Sequence, residues 1–447
     1  MRTSMLAACV VVIGAIGAGA ADSQTSATTA ASSAARSVSH DRFRRSGLFR
    51  HEGRQQGPAT EAPTGFDNLT NGLDPQGPSY DTLDESHSVA LRSFNDNRFV
   101  FEEVETAREG LGPTYNAQSC RECHQNVVTG GASQVTEHRS GRLDGTQFFE
   151  SLGGTLIQSR ATSPDLVEQL NVSDSIRTFR ISTNTLGDGY IEAISNDTLL
   201  AIRDAQPAAI RGTAILAPVL EGDGTDRVGR FGWKSQHASL VSFAADAYVN
   251  EMGVTSPLIP DENTMNGKYV GFGSGYDLVP DPEDDGTDVK AFAAFMRGTK
   301  APSRGPITVD VQAGDALFTQ VGCAGCHVAS ITTARAGTPI NAGAFVVPPA
   351  LGNKIVHPYS DYLLHDIGTG DGIPIKADAA FALTASQIRT APLWALRTRN
   401  RLMHDGLTFT TFEAIQRHAG QSSTVTANFN ALTTDQQRQV LAFLASL

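Results

Sequence analysis

The spacing of apolar residues along the chain predicts a protein built mainly from helices. From Ser239 to Met252 the apolar side chains recur every three or four positions, as on one face of an α-helix. Thr178 to Ser182 instead has the composition of a strand. Helical patterns also cover 101–107, 199–203, 289–296, 310–320, 411–418 and 435–447. We therefore expect a mainly α fold with long loops and minor β insertions.

Changes in composition along the chain predict four parts. Residues 1–20 have a positive start, an apolar run and small residues before Ala21, as in a cleaved signal peptide. Residues 21–65 are rich in Ser, Ala, Thr, Arg and Gly, which predicts a disordered leader. The Pro- and Gly-rich stretch 302–306 predicts a linker between an N-terminal domain, 66–300, and a C-terminal domain, 301–447.

Composition narrows the possible partners. The formal net charge is −12, which argues against binding to nucleic acid or to an anionic membrane. The apolar run near the N-terminus is too short for a comfortable membrane span, so we expect no stable membrane insertion. Of five cysteines, Cys9 lies in the predicted signal peptide, and the remaining four form two pairs.

Each cysteine pair belongs to a C-x-x-C-H motif. Cys120, Cys123 and His124 form the first motif, and Cys323, Cys326 and His327 form the second, so the spacing is that of c-type haem attachment. Two thiols at this spacing can form thioethers with one haem, and the following histidine can bind its iron. The alternative is a zinc site with four thiolates, which would leave the two histidines unexplained. We expect two covalently bound c-type haems in two cytochrome c-like domains.

With these motifs in view, the chain resembles the di-haem oxidoreductase family, which is related to the bacterial di-haem cytochrome c peroxidases. The resemblance runs from about Gly110 to Leu447. It rests on matching stretches in a fixed order, at 110–120, 187–194, 229–234, 250–253, 359–366, 389–394 and 404–406. The leader up to about residue 65 is not covered.

The resemblance also implies further haem ligands. In the related peroxidases a methionine binds the C-terminal haem from a helix after a His-Asp-Gly motif, and here that helix carries His418. His418 would give this haem two histidine ligands, and the alternative is a surface histidine. For the N-terminal haem, relatives have a removable histidine ligand shortly after the motif. His138 has a comparable place, although the stretch 137–140 also has the character of a solvated loop, which we favour.

Two further residues have a role that the resemblance implies. Glu251 corresponds to a catalytic carboxylate on the distal side of the N-terminal haem, where it would move a proton between the oxygens of peroxide. Trp233 corresponds to a tryptophan that carries electrons between the haems. The alternatives are an exposed helix-end glutamate and a core aromatic residue. Phe243 stands where relatives often have a glutamine, so we expect modest peroxidase activity.

Other polar residues leave their roles open. His365 and His404 each precede an aspartate and could bond haem propionates or fix loops. The acidic stretch 280–288 could bind calcium but lacks an EF-hand pattern, and we favour a solvated loop. The resemblance itself implies one calcium ion between the haem domains, bound mainly by backbone oxygens.

Together these features predict a periplasmic or secreted oxidoreductase. Electrons would enter from a small redox protein, of cytochrome c or cupredoxin type, at the C-terminal haem and reach a peroxide-activating N-terminal haem. Peroxide or another small oxidant would be the substrate. Two alternatives stay open: a non-catalytic electron carrier with two six-coordinate haems, and an oxygenase-like relative that acts on an organic substrate.

Overall fold

The structure is a computed structural model in which residues 57–65 and 91–447 are described. The predicted signal peptide and most of the predicted leader lie outside the described residues. Residues 57–65 belong to the end of that leader, yet Thr60–Glu61 form a strand that pairs in parallel with Lys354–Val356. This short segment is therefore ordered against the C-terminal half of the chain.

The helices are short, and they concentrate around the two cysteine motifs and at the end of the chain. In chain order, the α-helices of the described residues are Leu91–Glu102 (α1), Cys120–Cys123 (α2), Asp188–Glu192 (α3), Asn196–Ala205 (α4), Leu240–Ala247 (α5), Thr287–Gly298 (α6), Val309–Val321 (α7), Thr411–Gln416 (α8), Ser423–Asn430 (α9) and Thr434–Leu444 (α10). A π-helical turn, Tyr248–Met252, continues α5. The helices predicted from apolar spacing are confirmed at 199–203, 239–252, 289–296, 310–320, 411–418 and 435–447, with shifted ends. The helix predicted at 101–107 is wrong, because α1 ends at Glu102 and residues 103–107 are not helical.

Short strands fill most of the remaining sequence. They are Thr60–Glu61 (β1), Thr114–Tyr115 (β2), Thr136–Asp144 (β3), Gln147–Glu150 (β4), Leu156–Ile157 (β5), Arg160–Ala161 (β6), Ile176–Ile181 (β7), Leu216–Pro218 (β8), Asp226–Val228 (β9), Thr264–Met265 (β10), Lys268–Tyr269 (β11), Ile331–Thr332 (β12), Pro339–Ile340 (β13), Phe345–Val346 (β14), Lys354–Val356 (β15), Leu364–His365 (β16) and Ile388–Arg389 (β17).

The predicted mainly α fold is wrong, because the described residues are 33% helical and 18% strand, with many small sheets. Most of these strands have two or three residues, too few to show an alternating apolar pattern in the sequence. They let the long segments between helices pair their backbone N–H and C=O groups, which would otherwise be buried without partners. The result is a mixed fold and not a pair of plain helical cytochrome c domains.

Among the described residues, the sheet with the most strands has four and is built around β3. Its strand order is β4-β3-β5, and β7 also pairs with β3 in antiparallel register. In that register His138 lies opposite Phe179, and Glu137 lies opposite Arg180. The strand predicted at 178–182 is thereby confirmed as β7, whereas β3 was not predicted.

Two apolar cores lie beside the two cysteine motifs. The larger core contains Phe94, Phe101 and Phe295, and it extends to Tyr362 and Trp394 in the C-terminal third of the chain. It therefore crosses the boundary predicted at residue 300, and the division into two haem domains stays a prediction. The smaller core joins side chains of α7, α9 and α10 around the second motif.

The smaller core depends on a close crossing of α7 and α10. Gly314 makes this crossing possible, because a Cβ atom there would lie 2.0 Å from the Gln439 carbonyl oxygen. α7 then ends at Gly322, whose φ of 107° is unfavourable for other residues, and the chain enters the second motif directly. No helix within residues 57–65 and 91–447 is long and apolar enough to cross a membrane.

Candidate functional site

The first C-x-x-C-H motif forms one short, capped helical turn at a small cavity. The Ser119 hydroxyl accepts a hydrogen bond from the Glu122 N–H at the start of α2. The backbone N–H of His124 closes the turn on the Cys120 carbonyl. Cys120, Cys123 and His124 then line a cavity of about 70 Å³. One turn thus presents both thiols and the imidazole to the same space.

Burial sets the protonation states of this motif. It raises the pKa of the Cys123 thiol to about 12 and lowers the pKa of the His124 imidazole to about 4. Neither cysteine is in a disulfide. Neutral imidazole is the form that binds a metal, and a free thiol is the form that thioether attachment consumes. The residues present therefore fit a covalently attached haem.

Glu251 and Phe243 also line this cavity. Glu251 lies in the π-helical turn Tyr248–Met252, and its Oε2 accepts a hydrogen bond of 2.9 Å from Asn116 Nδ2. Such turns are frequent at functional sites. Glu251 is therefore at the cavity and not at an exposed helix end. Phe243 presents an apolar ring, which stacks on Phe231 with ring centres 5.8 Å apart.

Two residues that the sequence did not indicate extend the Glu251 network. Glu137 and Arg139 lie on β3, where Arg139 Nε and Nη2 donate to the two carboxylate oxygens of Glu137 at 3.0 and 2.9 Å. The Glu137 and Glu251 carboxyl groups are also close enough to influence each other's pKa. Two carboxyl groups can hydrogen-bond to each other only through a proton that one of them keeps.

Charges decide which of the two glutamates holds that proton. Burial and the negative charge of Glu137 raise the pKa of Glu251 well above its usual range. Burial also opposes ionisation of Glu137, but the Arg139 guanidinium outweighs it and lowers the pKa of Glu137. Of the two carboxyl groups, Glu251 is therefore the one that keeps a proton more readily, and Glu137 is the one that ionises more readily.

His138 lies between these two residues and points the other way. Successive side chains of a strand face opposite sides, so His138 faces away from Glu137 and Arg139. Its ring stacks on Phe179 with ring centres 4.8 Å apart. The structure therefore does not bring His138 to the cavity, and the predicted solvated loop is a strand. No run of β-branched or aromatic residues marks this strand in the sequence, so local pattern did not reveal it.

The second C-x-x-C-H motif lies at a larger cavity. Cys323, Cys326 and His327 line a space of about 220 Å³, together with His418 from the end of α8. The rings of His327 and His418 have their centres 6.4 Å apart. Two imidazoles that bind one metal ion from opposite sides have centres roughly 6 Å apart, because each metal–nitrogen bond is about 2 Å long. The spacing therefore suits a shared iron ion.

The hydrogen bonds of both rings support this arrangement. His327 Nδ1 bonds the Tyr359 carbonyl at 3.0 Å, and His418 Nδ1 bonds the Ala414 carbonyl at 2.7 Å. In each ring Nδ1 carries the proton, which leaves Nε2 as the free ligand atom. Burial lowers the pKa of His327 to about 4 and also lowers that of His418, so both rings are neutral. His418 is therefore not a surface residue, and its ligation stays a prediction.

Two side chains of the second cavity have unpartnered nitrogen atoms to which haem propionates could bond. Arg399 and His404 line this cavity, and their Nε and Nδ1 atoms are buried without hydrogen-bond partners. Haem propionates are anionic acceptors that could satisfy such groups. His365 also lines this cavity, but both of its ring nitrogens have partners, because Nδ1 lies 3.7 Å from Cys326 Sγ and Nε2 lies 2.8 Å from Asp361 Oδ2. His365 therefore contacts the second C-x-x-C-H motif through Cys326.

The zinc alternative requires all four thiols to meet in one site. Among the described residues, the groups of three or more side chains close enough to share a metal ion contain Cys326 but none of the other three cysteines. The two cysteine pairs line separate cavities. The structure therefore does not assemble a four-cysteine zinc site.

Trp233 lies where the two cavities approach each other. It lines the second cavity, and its indole N–H donates to the Ile181 carbonyl at 2.6 Å. The next residue, Ser182, lines both cavities. His404 packs against the indole edge-on, with ring centres 6.2 Å apart. Trp233 is thus connected to the wall that separates the two cavities.

Two motif cavities of this kind define a class of protein with two haem sites. A model of the family described as "Di-haem oxidoreductase, putative peroxidase" matches residues 155–447. This is more than half of the chain, and the chain therefore belongs to the di-haem oxidoreductase family, whose cofactor is haem. The match includes the second motif, His418, Glu251 and Trp233, and it begins after the first motif.

Two solved structures align with most of this chain at low similarity. One is a MauG-like protein associated with microbial copper homeostasis, with 15% identity, a TM-score of 0.38, and coverage of 87% of this chain and 93% of that one. The other is the hydrazine synthase of Kuenenia stuttgartiensis, with 13% identity, a TM-score of 0.35, and coverage of 88% and 100%. A comparison with curated proteins found no match.

Proposed function

We propose that this chain is a c-type di-haem oxidoreductase that reduces peroxide at its N-terminal site with electrons received at its C-terminal site. Cys120 and Cys123 would hold one haem, with His124 as the iron ligand. Cys323 and Cys326 would hold the other. The observation that carries the proposal is the difference between the two cavities: the first is lined by the carboxyl group of Glu251, and the second has the imidazoles of His327 and His418 with ring centres 6.4 Å apart.

This difference assigns opposite roles to the two sites. Among the described residues, His124 is the only histidine that lines the first cavity, and Met252 and Met296 also line it. We propose that neither methionine binds the iron, so that one face of a bound haem would be open to a small oxidant. At the second cavity His327 and His418 would occupy both faces. A six-coordinate site suits electron transfer, whereas an open site suits a small oxidant. Peroxide or another small oxidant is therefore assigned to the first cavity.

The bound haem would supply the one-electron chemistry and the coordination site for the oxidant. The protein would supply protons. Burial and the charge of Glu137 raise the pKa of Glu251, so Glu251 would hold a proton at the cavity, and Glu137, fixed by Arg139, would be the group with which it exchanges that proton. A carboxyl group at this place can donate a proton to the departing oxygen, so that water leaves instead of hydroxide.

Trp233 is the proposed link for electrons between the sites. It lines the second cavity and is hydrogen-bonded to Ile181, next to the Ser182 wall of the first cavity. We also propose that the protein works in the periplasm after removal of a signal peptide, and that its donor is a small redox protein of cytochrome c or cupredoxin type. The net charge of −12 favours a basic donor surface.

Peroxide turnover of a Glu251→Gln variant tests the proposal. The substitution keeps the hydrogen bond from Asn116 possible but removes the transferable proton, so turnover should fall roughly 10²–10⁴-fold with both haems retained. Glu150→Gln, at an exposed strand end, is the matched control and should equal wild type. The N-terminal haem should be high-spin by electron paramagnetic resonance, either as isolated or after reduction of its partner.

Two outcomes would contradict the proposal in different ways. A wild-type protein that stays low-spin at both haems in every redox state and ignores peroxide is an electron carrier. An active protein whose Glu251→Gln variant turns over like wild type is an enzyme in which Glu251 has no proton-transfer role.

A further inference from the structure

Four acidic side chains meet away from both haem-type cavities. Glu262, Asp277, Asp281 and Glu283 each bring one carboxylate oxygen within 4.8 Å of those of the other three. They belong to the segment that follows the Glu251 turn and leads to α6. Of the acidic stretch 280–288, only Asp281 and Glu283 take part. Asp284 and Asp285 instead accept N–H groups at the start of α6.

Three of these carboxylates leave a buried oxygen unused. Asp277 is only 8% exposed, and its Oδ1 accepts the Val279 N–H while its Oδ2 is buried without a partner. Glu262 Oε2 and Glu283 Oε1 are also buried and unpartnered. The remaining oxygens of the two glutamates accept the N–H groups of Asn263 and Thr255. Each side chain is thus fixed by one oxygen and has a second one free.

Such an arrangement is unfavourable without a positive charge. Buried acceptors that lose water without gaining a partner are costly, and like charges this close repel each other. A cation at the centre would satisfy the free oxygens and cancel the repulsion. The cluster therefore has the properties of a binding site and not of a solvated loop.

The ligand set selects the kind of cation. All four side chains offer oxygen, and none offers nitrogen or sulfur, so a hard cation is favoured over zinc or copper. Calcium binds carboxylates at about 2.3–2.6 Å, so two ligands on opposite sides of it are roughly 4.6–5.2 Å apart. Four oxygens that all lie within 4.8 Å of one another are therefore close enough to contact one such ion.

We propose that Glu262, Asp277, Asp281 and Glu283 bind one calcium ion. This site differs from a calcium ion held by backbone oxygens between the haem domains, because its ligands are side chains of one segment. The proposal does not depend on the proposed peroxidase activity.

The site is connected to the Glu251 turn. Thr255 lies four residues after Glu251 and donates its backbone N–H to Glu283 Oε2 at 2.7 Å, and its hydroxyl to Asp281 Oδ1 at 3.1 Å. Gly253, between them, packs so closely that a Cβ atom at Gly112 would lie 2.4 Å from its carbonyl oxygen. A bound ion would therefore hold the end of the turn that carries Glu251.

Calcium binding to the EDTA-treated holoprotein tests this site. Titration calorimetry and the thermal midpoint should show a calcium-binding site and a stabilisation that equimolar magnesium does not reproduce. Asp277→Asn should bind one calcium ion fewer, or bind it roughly tenfold or more weakly. In EDTA the same variant should be at least as stable as wild type, because one repelling charge is gone.

Two controls keep the result interpretable. Asp261→Asn makes the same change of charge at an exposed position beside Glu262 and should bind calcium like wild type. Glu262→Gln should repeat the effect of Asp277→Asn if that variant folds poorly. The proposal is overturned if wild type shows no calcium-dependent stabilisation, or if both cluster variants bind as many calcium ions as wild type with unchanged affinity.

Discussion

Glu137 and Glu251 show how single residues set the chemistry of the first cavity. The two carboxyl groups influence each other's pKa, and the Arg139 guanidinium stabilises the negative charge on Glu137. The pKa of Glu251 is raised first by burial and then by this neighbouring charge. The readiness of Glu251 to give up a proton therefore depends on Glu137 and Arg139, which lie on a different element, β3.

A Glu137→Gln variant should move the pH dependence of peroxide turnover. Removing the charge of Glu137 leaves Arg139 unbalanced, and both effects lower the pKa of Glu251. Glu251 then loses its proton at lower pH, so the fall of activity on the alkaline side should shift by roughly one pH unit or more toward acid. The measurement is kcat/KM for peroxide against pH, and an unchanged alkaline limb would disprove the coupling.

His418 is the residue on which the second site depends. His418→Ala should open one face of the C-terminal haem, so that cyanide or carbon monoxide binds there and alters its optical spectrum. His418→Met should raise the reduction potential of this haem, because imidazole donates more strongly to ferric iron. His357→Ala is the control, since this histidine is exposed and pairs with Glu61. A spectrum that neither His418 variant changes would rule out ligation.

At the scale of elements, one buried aspartate joins the segments that hold Trp233. Asp371, in the loop after β16, forms ion pairs of 2.7 Å with Arg180 of β7 and 2.9 Å with Lys234. Burial opposes the charge of Asp371, but the two cations lower its pKa to about 2. Burial lowers the pKa of Lys234 to about 8, because the single carboxylate of Asp371, which also pairs with Arg180, does not fully offset the loss of water around the lysine. The cluster fixes both the Trp233 segment and the strand that accepts its N–H.

Asp371→Asn should destabilise the protein strongly, because it leaves two buried cations without an anion. We expect a loss of about 3–5 kcal/mol in the free energy of unfolding, measured by denaturant titration. In wild type the folded-state pKa lies below the ordinary 3.8. The contribution of Asp371 is therefore complete above about pH 4 and is lost as pH falls toward 2. The Asn variant should lack this acid-dependent step.

A matched surface variant separates this effect from a simple change of charge. Asp204 pairs with Arg203 at 2.7 Å, but its side chain is 62% exposed. Asp204→Asn should change the free energy of unfolding little, since exposed pairs are screened by water. If Asp371→Asn were equally mild, the cluster would not be a structural link.

At the scale of the whole molecule, the two motifs predict two covalent haems. The intact mass should exceed that of the processed chain by two haems, and the gain should survive extraction with acidified acetone because thioethers do not release haem. Replacing Cys120 and Cys123 by Ala should remove one haem and leave the spectrum of the other. A single haem in the wild type, or zinc in its place, would contradict the assignment of both cavities.

The sequence by itself determined the features that depend on covalent or local spacing. The C-x-x-C-H motifs place three groups within one turn, and amphipathic helices show their period over ten or more residues, as in α7 and in α5 together with the π-helical turn that continues it. His418 and Glu251 could be named because family motifs surround them. The mixed fold could not be predicted, since strands of two or three residues have no detectable period.

Only the tertiary structure decided which distant residues meet. Glu137 lies more than a hundred residues before Glu251, and its neighbours in the sequence resemble a loop, so nothing local indicates that the two carboxyl groups influence each other's pKa. The 6.4 Å between the rings of His327 and His418 likewise depends on how α8 packs beside the second motif. Glu262 and Asp277 reach Asp281 and Glu283 only after the intervening segment folds back. Protonation, ligation and cation binding all depend on such distances, because electrostatic energies fall with separation and rise with burial.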